Sequence, residues 1–368
     1  MKNLFFIAAF IGLIAQWGKS QVTCPGANFF TQTEVNQYVS DYPGCEVVTG
    51  SITFSNNPLT PITDISGLSS IIKIEGNCIF YSLTSLSDIS FNSLDSVNGA
   101  ISINFNQGLN TVSVNNLSYV QSMFRISNNS NQPSNLNASV PNLKHAQFIE
   151  IKQIDEISIP LIEICSNIII SNTNKIIGFS EISSINNLDL NGGSVTGFNS
   201  LQSVNSFNLN IENSINGFNS LTTFPSNYSS SSLASFKGFN AVTQINGNLT
   251  IQSDTIDAFN GLAQVNGNIN LTGLNILGFN ALQSAQNLTI NASGNIPQFN
   301  TLTTASDIVI SSPQAVNGFN TIQNAQNINI TSSGDISGFN ALENITDYLY
   351  VDAQNIIGFE AVEYFSSL

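Results

Sequence analysis

The sequence predicts an all-β fold: a right-handed parallel β-solenoid of leucine-rich-repeat-like coils, about 20 residues and one strand each, with a short N-terminal helical cap. Three observations carry this reading. Phenylalanine recurs at 179, 198, 218, 239, 259, 279, 299, 319, 339 and 359, mostly inside Gly-Phe-Asn. Apolar columns keep step with it three residues before (Ile176, Val195, Ile215, Ile256), three after (Leu201, Leu221, Val242, Leu262) and six after (Ile185, Val204, Ile245, Val265). Most repeats also hold a short alternating segment, such as Leu249-Thr250-Ile251 or Ile328-Asn329-Ile330, in which aliphatic residues face in and polar ones face out. The rest of each coil is too short for a helix plus its connections, so turns and short extended pieces fill it.

Residues 1–20 carry Lys2, then an apolar run from Leu4 to Ala15, then small residues at Gly18 and Ser20. This is the pattern of a secretory signal peptide, with cleavage expected before Gln21. The run is too short to span a bilayer, so no direct membrane insertion is expected.

Residues 21–48 form the cap. Thr31 and Glu34 make a capping box, and Val35, Tyr38, Val39 and Tyr42 share one helical face closed by Pro43-Gly44. In an exported chain, Cys24 and Cys45 are expected to form the disulfide that staples this lid.

The solenoid occupies 49–368. Over 49–170 the coils are divergent, centred on Leu68, Phe91, Val114, Val140 and Ile159, with steps of 23, 23, 26, 19 and 20 residues through to Phe179. Over 171–368 they are regular. Fifteen coils stacked at about 4.8 Å give a rod of roughly 70 Å. Cys78 and Cys165 fall on inward positions four coils apart, which predicts two buried thiols not bonded to each other. The last coil reaches Leu368 without a capping segment, so a further C-terminal segment is expected.

Composition narrows function mainly by exclusion. Without Lys2 and Lys19, six basic residues face 23 acidic ones, a formal charge of −17. Such a surface does not bind nucleic acid by counterion release. His145 is the only histidine, so a Ser-His-Asp arrangement or a His-based metal cluster has little material, and no cofactor or metal is expected. The densest carboxylate group is Glu150, Asp155, Glu156 and Glu163, spread over two coils and read as a solvated charged face. The Asn after each Phe, from Asn199 to Asn340, reads as a stacked amide ladder that supports the turns.

Outward strand positions are where a ligand can be met. One column reads Thr250, Asn270, Thr289, Val309, Asn329, Tyr350, and the next Gln252, Thr272, Asn291, Ser311, Thr331, Asp352. Stacking on a sugar ring falls to Tyr81, Tyr119, Tyr348 or Tyr350.

The cap from Cys24-Pro25 to Cys45, Val48-Thr-Gly-Ser-Ile-Thr-Phe54, Ile65-Ser-Gly-Leu68 and the recurrent Gly-Phe-Asn-Ser/Ala-Leu units together resemble receptor L-domain proteins. The form is similar to large secreted surface proteins of Bacteroidota, with fungal cell-wall proteins as a second likeness. The resemblance implies a secreted or cell-surface binding or adhesion module without catalysis, meeting a glycan or protein ligand. A polysaccharide-active β-helix enzyme and a structural spacer are the alternative readings.

Overall fold

The aliphatic columns stack inside the rod and the polar residues between them turn outward. The computed structural model describes residues 21–127, 135–294, 296, 299–362 and 364–365, so the leader read at 1–20 lies outside the described residues. The chain winds into a parallel β-solenoid of about 16 turns. Ile176, Val195, Ile215, Leu201, Leu221, Val242 and Leu262 are fully buried and belong to one continuous apolar cluster along the rod.

A regular coil such as that after Phe239 carries three strand segments instead of the single one expected. Gln244–Ile245 pairs with Gln264 and Val265 on a first face, Thr250 with Asn270 on a second, and Ile256 with Ile276 on a third. Only the second segment is long enough to alternate visibly. Segments of two or three residues, such as Gln244–Ile245 and Val316–Gly318, leave no periodic signal.

The helix Gln32–Asp41 has the expected reciprocal cap between Thr31 and Glu34. Val35 and Tyr38 are buried, Val39 is half-buried and Tyr42 is exposed. Gly44 follows in the left-handed region at φ 71°, where a residue without Cβ ends the helix cheaply. Tyr38 donates to the Pro25 carbonyl at 2.7 Å, and burial pushes its phenol up to about 12. The Cys24–Cys45 disulfide is formed. The cap is also the first rung: Thr23–Cys24 pairs with Val47–Val48, and Ala27–Phe29 with Ile52–Ser55. Cys78 and Cys165 are free and buried, and desolvation pushes both thiols up to about 12.

The Phe column is a buried ring stack. Phe179, Phe198 and Phe218 follow one another at 4.7 and 5.0 Å with planes within 3°. All ten residues from Phe179 to Phe359 also have left-handed backbones, with φ between 43° and 64°. Such a backbone costs an L-residue about 1–2 kcal/mol. Burial of each ring and stacking on its neighbours outweigh that cost.

Candidate functional site

The two outward columns stand in the register the repeat predicts. Thr250, Asn270, Thr289, Val309, Asn329 and Tyr350 pair rung to rung, as do Gln252, Thr272, Asn291, Ser311, Thr331 and Asp352. In the first column Thr250, Asn270, Thr289 and Asn329 are half-buried while Val309 and Tyr350 are exposed, and in the second Gln252, Thr272, Asn291, Ser311 and Thr331 are exposed. Both therefore lie on one face of parallel strands, in straight rows that follow the inter-strand spacing.

Part of the second column borders a groove that the linear pattern does not show. At the corner after the second face the chain turns inward at Ser253, Gly273 and Ala292. Ser253 donates from its hydroxyl to the Thr255 carbonyl at 2.9 Å, which satisfies a buried polar group and leaves the backbone recessed. The recess is a groove of about 480 Å³. Gln252, Thr272 and Asn291 line it together with Asn213, Asp254 and Leu274. Leu274 is 49% exposed, an aliphatic surface among amides, hydroxyls and one carboxylate. This set offers hydrogen-bond donors and acceptors in near balance and carries no cation, which suits a polyol better than an anion.

At the far end of the same face, Tyr348 and Tyr350 are 45% and 43% exposed, their rings parallel within 2° and 6.5 Å apart. Asn327 and Asn329 stand opposite them on the preceding rung. The other two tyrosines are otherwise engaged: Tyr81 meets Phe105 edge-on at 5.3 Å, and Tyr119 stacks on His145 at 4.7 Å. That stack accounts for the lone histidine.

The carboxylate group at 150–163 resolves into separate pairs. Glu150 is an outward strand residue yet only 8% exposed, because Arg125 and Lys152 cover it. Arg125 donates through Nε to Glu150 Oε2 at 2.6 Å. Burial raises the Glu150 carboxyl, but hydrogen bonds from Lys152 and Arg125 and their charges outweigh that and hold it below the ordinary value. Asp155 accepts from Asn174, while Glu156 pairs with Lys175 and Glu163 with Lys144. Among the described residues no group of three or more His, Cys, Asp or Glu is arranged to hold a metal ion.

The Asn column forms the amide ladder the sequence predicts. Asn219 donates to Asn199 at 2.9 Å, Asn240 to Asn219 at 3.0 Å and Asn280 to Asn260 at 2.7 Å. These amides are engaged along the rod, in contrast to the open groups of the groove. Compared with known proteins, the chain matches no family model, no curated protein and no solved structure.

Proposed function

We propose that this chain is a non-enzymatic, extracellular binding module that takes a neutral glycan in the groove bordered by Gln252, Thr272 and Asn291. The single observation that carries the reading is that this groove gathers exposed amides, hydroxyls, the Asp254 carboxylate and the Leu274 side chain along one recessed edge of the second face. Sugar hydroxyls need both donors and acceptors, and an aliphatic or aromatic surface supports the apolar side of the ring. Tyr348 and Tyr350 extend the same face in that capacity for a longer chain. Among the described residues Asp254 is the only carboxylate lining the groove, whereas glycoside hydrolysis ordinarily uses two. The leader pattern at 1–20, the Cys24–Cys45 disulfide and the receptor L-domain resemblance support a secreted or cell-surface setting.

The test is a glycan array followed by calorimetry on the strongest hit, with Gln252→Ala, Thr272→Ala and Asn291→Ala combined in one variant. Binding should weaken at least about tenfold in the variant with its melting temperature unchanged, as for loss of several hydrogen bonds to a ligand. Release of new reducing ends from any hit would replace this reading with the enzyme. Unchanged binding in the variant would move the ligand off this face. A protein captured through the same residues, with the array blank, would exchange the glycan for a protein ligand.

A further inference from the structure

The second face is continuous in two blocks with a break between them. Phe207, Asn208 and Leu209 pair with the rung before them, and Tyr228, Ser229 and Ser230 with the rung after. The two rungs are tied on either side of the break: Thr222 donates its N–H to the Gln202 carbonyl at 3.2 Å on the first face, and on the third 214–217 run in register with 235–238. Among the described residues, no pairing joins 203–211 to 228–230. Two strand edges, with their main-chain N–H and C=O groups, thus face each other inside the rod.

The side chains explain the break. Inward columns that in the neighbouring rungs hold Leu, Ile or Val here hold four aromatic rings, Phe207, Phe224, Tyr228 and Phe236. The Phe224 ring lies 5.1 Å from both Phe239 and Phe259, 5.2 Å from Tyr228 and 6.3 Å from Phe207. These rings come in addition to the stacked Phe column of the same coils, and the second-face pairing lapses where they crowd. Pro225, directly after Phe224, also removes one ladder donor. Between the banks lies a groove of about 270 Å³, lined by Leu209, Ile211, Glu212, Tyr228 and Ser229 among others.

We propose that this break is a strand-insertion site that takes an extended peptide segment of a protein partner. An inserted strand offers donors and acceptors along both of its edges at the spacing of both banks. A glycan cannot match two backbone edges at once. Alternate peptide side chains face the apolar floor at Leu209, Ile211 and Tyr228, and the Glu212 carboxylate in the lining favours a Lys or Arg at one end. The site is separate from the groove at Gln252 and does not rest on its ligand.

Hydrogen exchange followed by mass spectrometry on the purified full chain tests this directly. Amides of 207–211 and 228–230 should exchange faster than those of 188–191 and 249–252. A peptide copying residues 246–255, a regular rung of this chain, serves as the probe and should slow exchange on both banks. The same peptide carrying Thr250→Pro and Gln252→Pro should not. The protein variant Phe224→Val with Tyr228→Leu restores aliphatic columns and closes the break, so the peptide should bind at least about tenfold more weakly while the melting temperature holds or rises. Equal protection of the banks and their neighbours in the free protein, or peptide protection at some other rung, would overturn the proposal. So would equal binding of the proline-bearing peptide.

Discussion

The divergent coils at 49–170 and the regular coils that follow solve the same packing problem at different corners. Among the described residues of the divergent half, the left-handed ones are Ser82, Phe105 and Gln153, all just past the second face. Asn172 repeats that choice and, in the same rung, Phe179 begins the other: from there on every left-handed non-glycine residue among those described is a Phe past the third face. The ladder shows what changed. Ile159 pairs with Gly178 and not with Phe179. The centres of the divergent coils therefore stand where the glycine stands, and the Phe is a one-residue addition tucked inward. Val140 donates its N–H forward to the Ser158 carbonyl, whereas Phe198 donates backward to Gly178. The sequence template treats Val114, Val140 and Ile159 as equivalents of the Phe, and in that respect it is one residue out of register. β-Branched centres could not occupy a left-handed site without strain, so that substitution was the available signal.

The largest expected effect separates the two halves by the order of two substitutions. Phe198→Ala should cost about 3–5 kcal/mol, because a fully buried ring stacked on both sides leaves a cavity. Phe279, tilted from its neighbours at 5.8 and 6.5 Å, should fall at the lower end of that range. Phe198→Gly should be less damaging than Phe198→Ala by about 1 kcal/mol, since glycine releases the left-handed strain. At Phe91, equally buried but without a positive φ, glycine should be worse than alanine by about 0.5–1 kcal/mol. Urea titrations of the five variants check this, and the same order of glycine and alanine at Phe198 and Phe91 would sink the one-residue addition.

Next in size is the glycine that makes room for it. A Cβ on Gly197, which sits at φ 139°, would lie 1.7 Å from the Gly178 carbonyl oxygen. Gly197→Ala should destabilise by about 2–3 kcal/mol, the upper range for overpacking a tight core. Ala258 occupies the same column without a positive φ, so Ala258→Gly should change stability by less than about 1 kcal/mol. A melting series comparing the two positions decides whether the left-handed glycines or the whole column set rung spacing.

How the fold could be read from the chain follows from the same contrast. Columns buried on every rung, such as Leu201 and Leu262, declare themselves by period because each side chain meets its copy on the next coil. The outward rows from Thr250 to Tyr350 were legible for the same reason. The groove at Gln252 was not, because it arises from a recessed corner at Ser253 and Gly273, where backbone path and not residue type makes the shape. The break beside Phe224 was half-legible: the oversized rings and Pro225 stand in the sequence, but only the pairing shows that they part the rungs.

The halves also differ in what ties neighbouring coils together outside the core. The ion pairs of the described residues, among them Arg125 with Glu150 and Lys144 with Glu163, fall between residues 73 and 175. Glu150→Gln should cost about 1–3 kcal/mol at neutral pH, the range for charged hydrogen bonds of a buried carboxylate. Because the folded carboxyl titrates below its unfolded value, this stabilisation is fully present above about pH 4.3 and is lost as pH falls through the depressed folded value. Stability curves of wild type and variant should therefore converge in acid. A gap that persists to pH 2 would mean that the glutamate acts through packing and not through its charge.

The smallest expected effect belongs to the regular half, where Asn rows take the place of charges. Asn280 donates to Asn260 at 2.7 Å from an exposed position, so its amide competes with water at every link. Asn280→Ala should cost about 0.5–1 kcal/mol and leave any pH dependence unaltered, since the ladder contains no titrating group. Replacing Asn260, Asn280 and Asn300 together removes adjacent links, and neighbouring sites need not add. If the triple variant loses clearly more than three times the single one, the row acts cooperatively, as stacked amides polarise one another. If it loses no more than the single variant, the row is a surface consequence of rung spacing, and the Phe stack with its glycines sets that spacing alone.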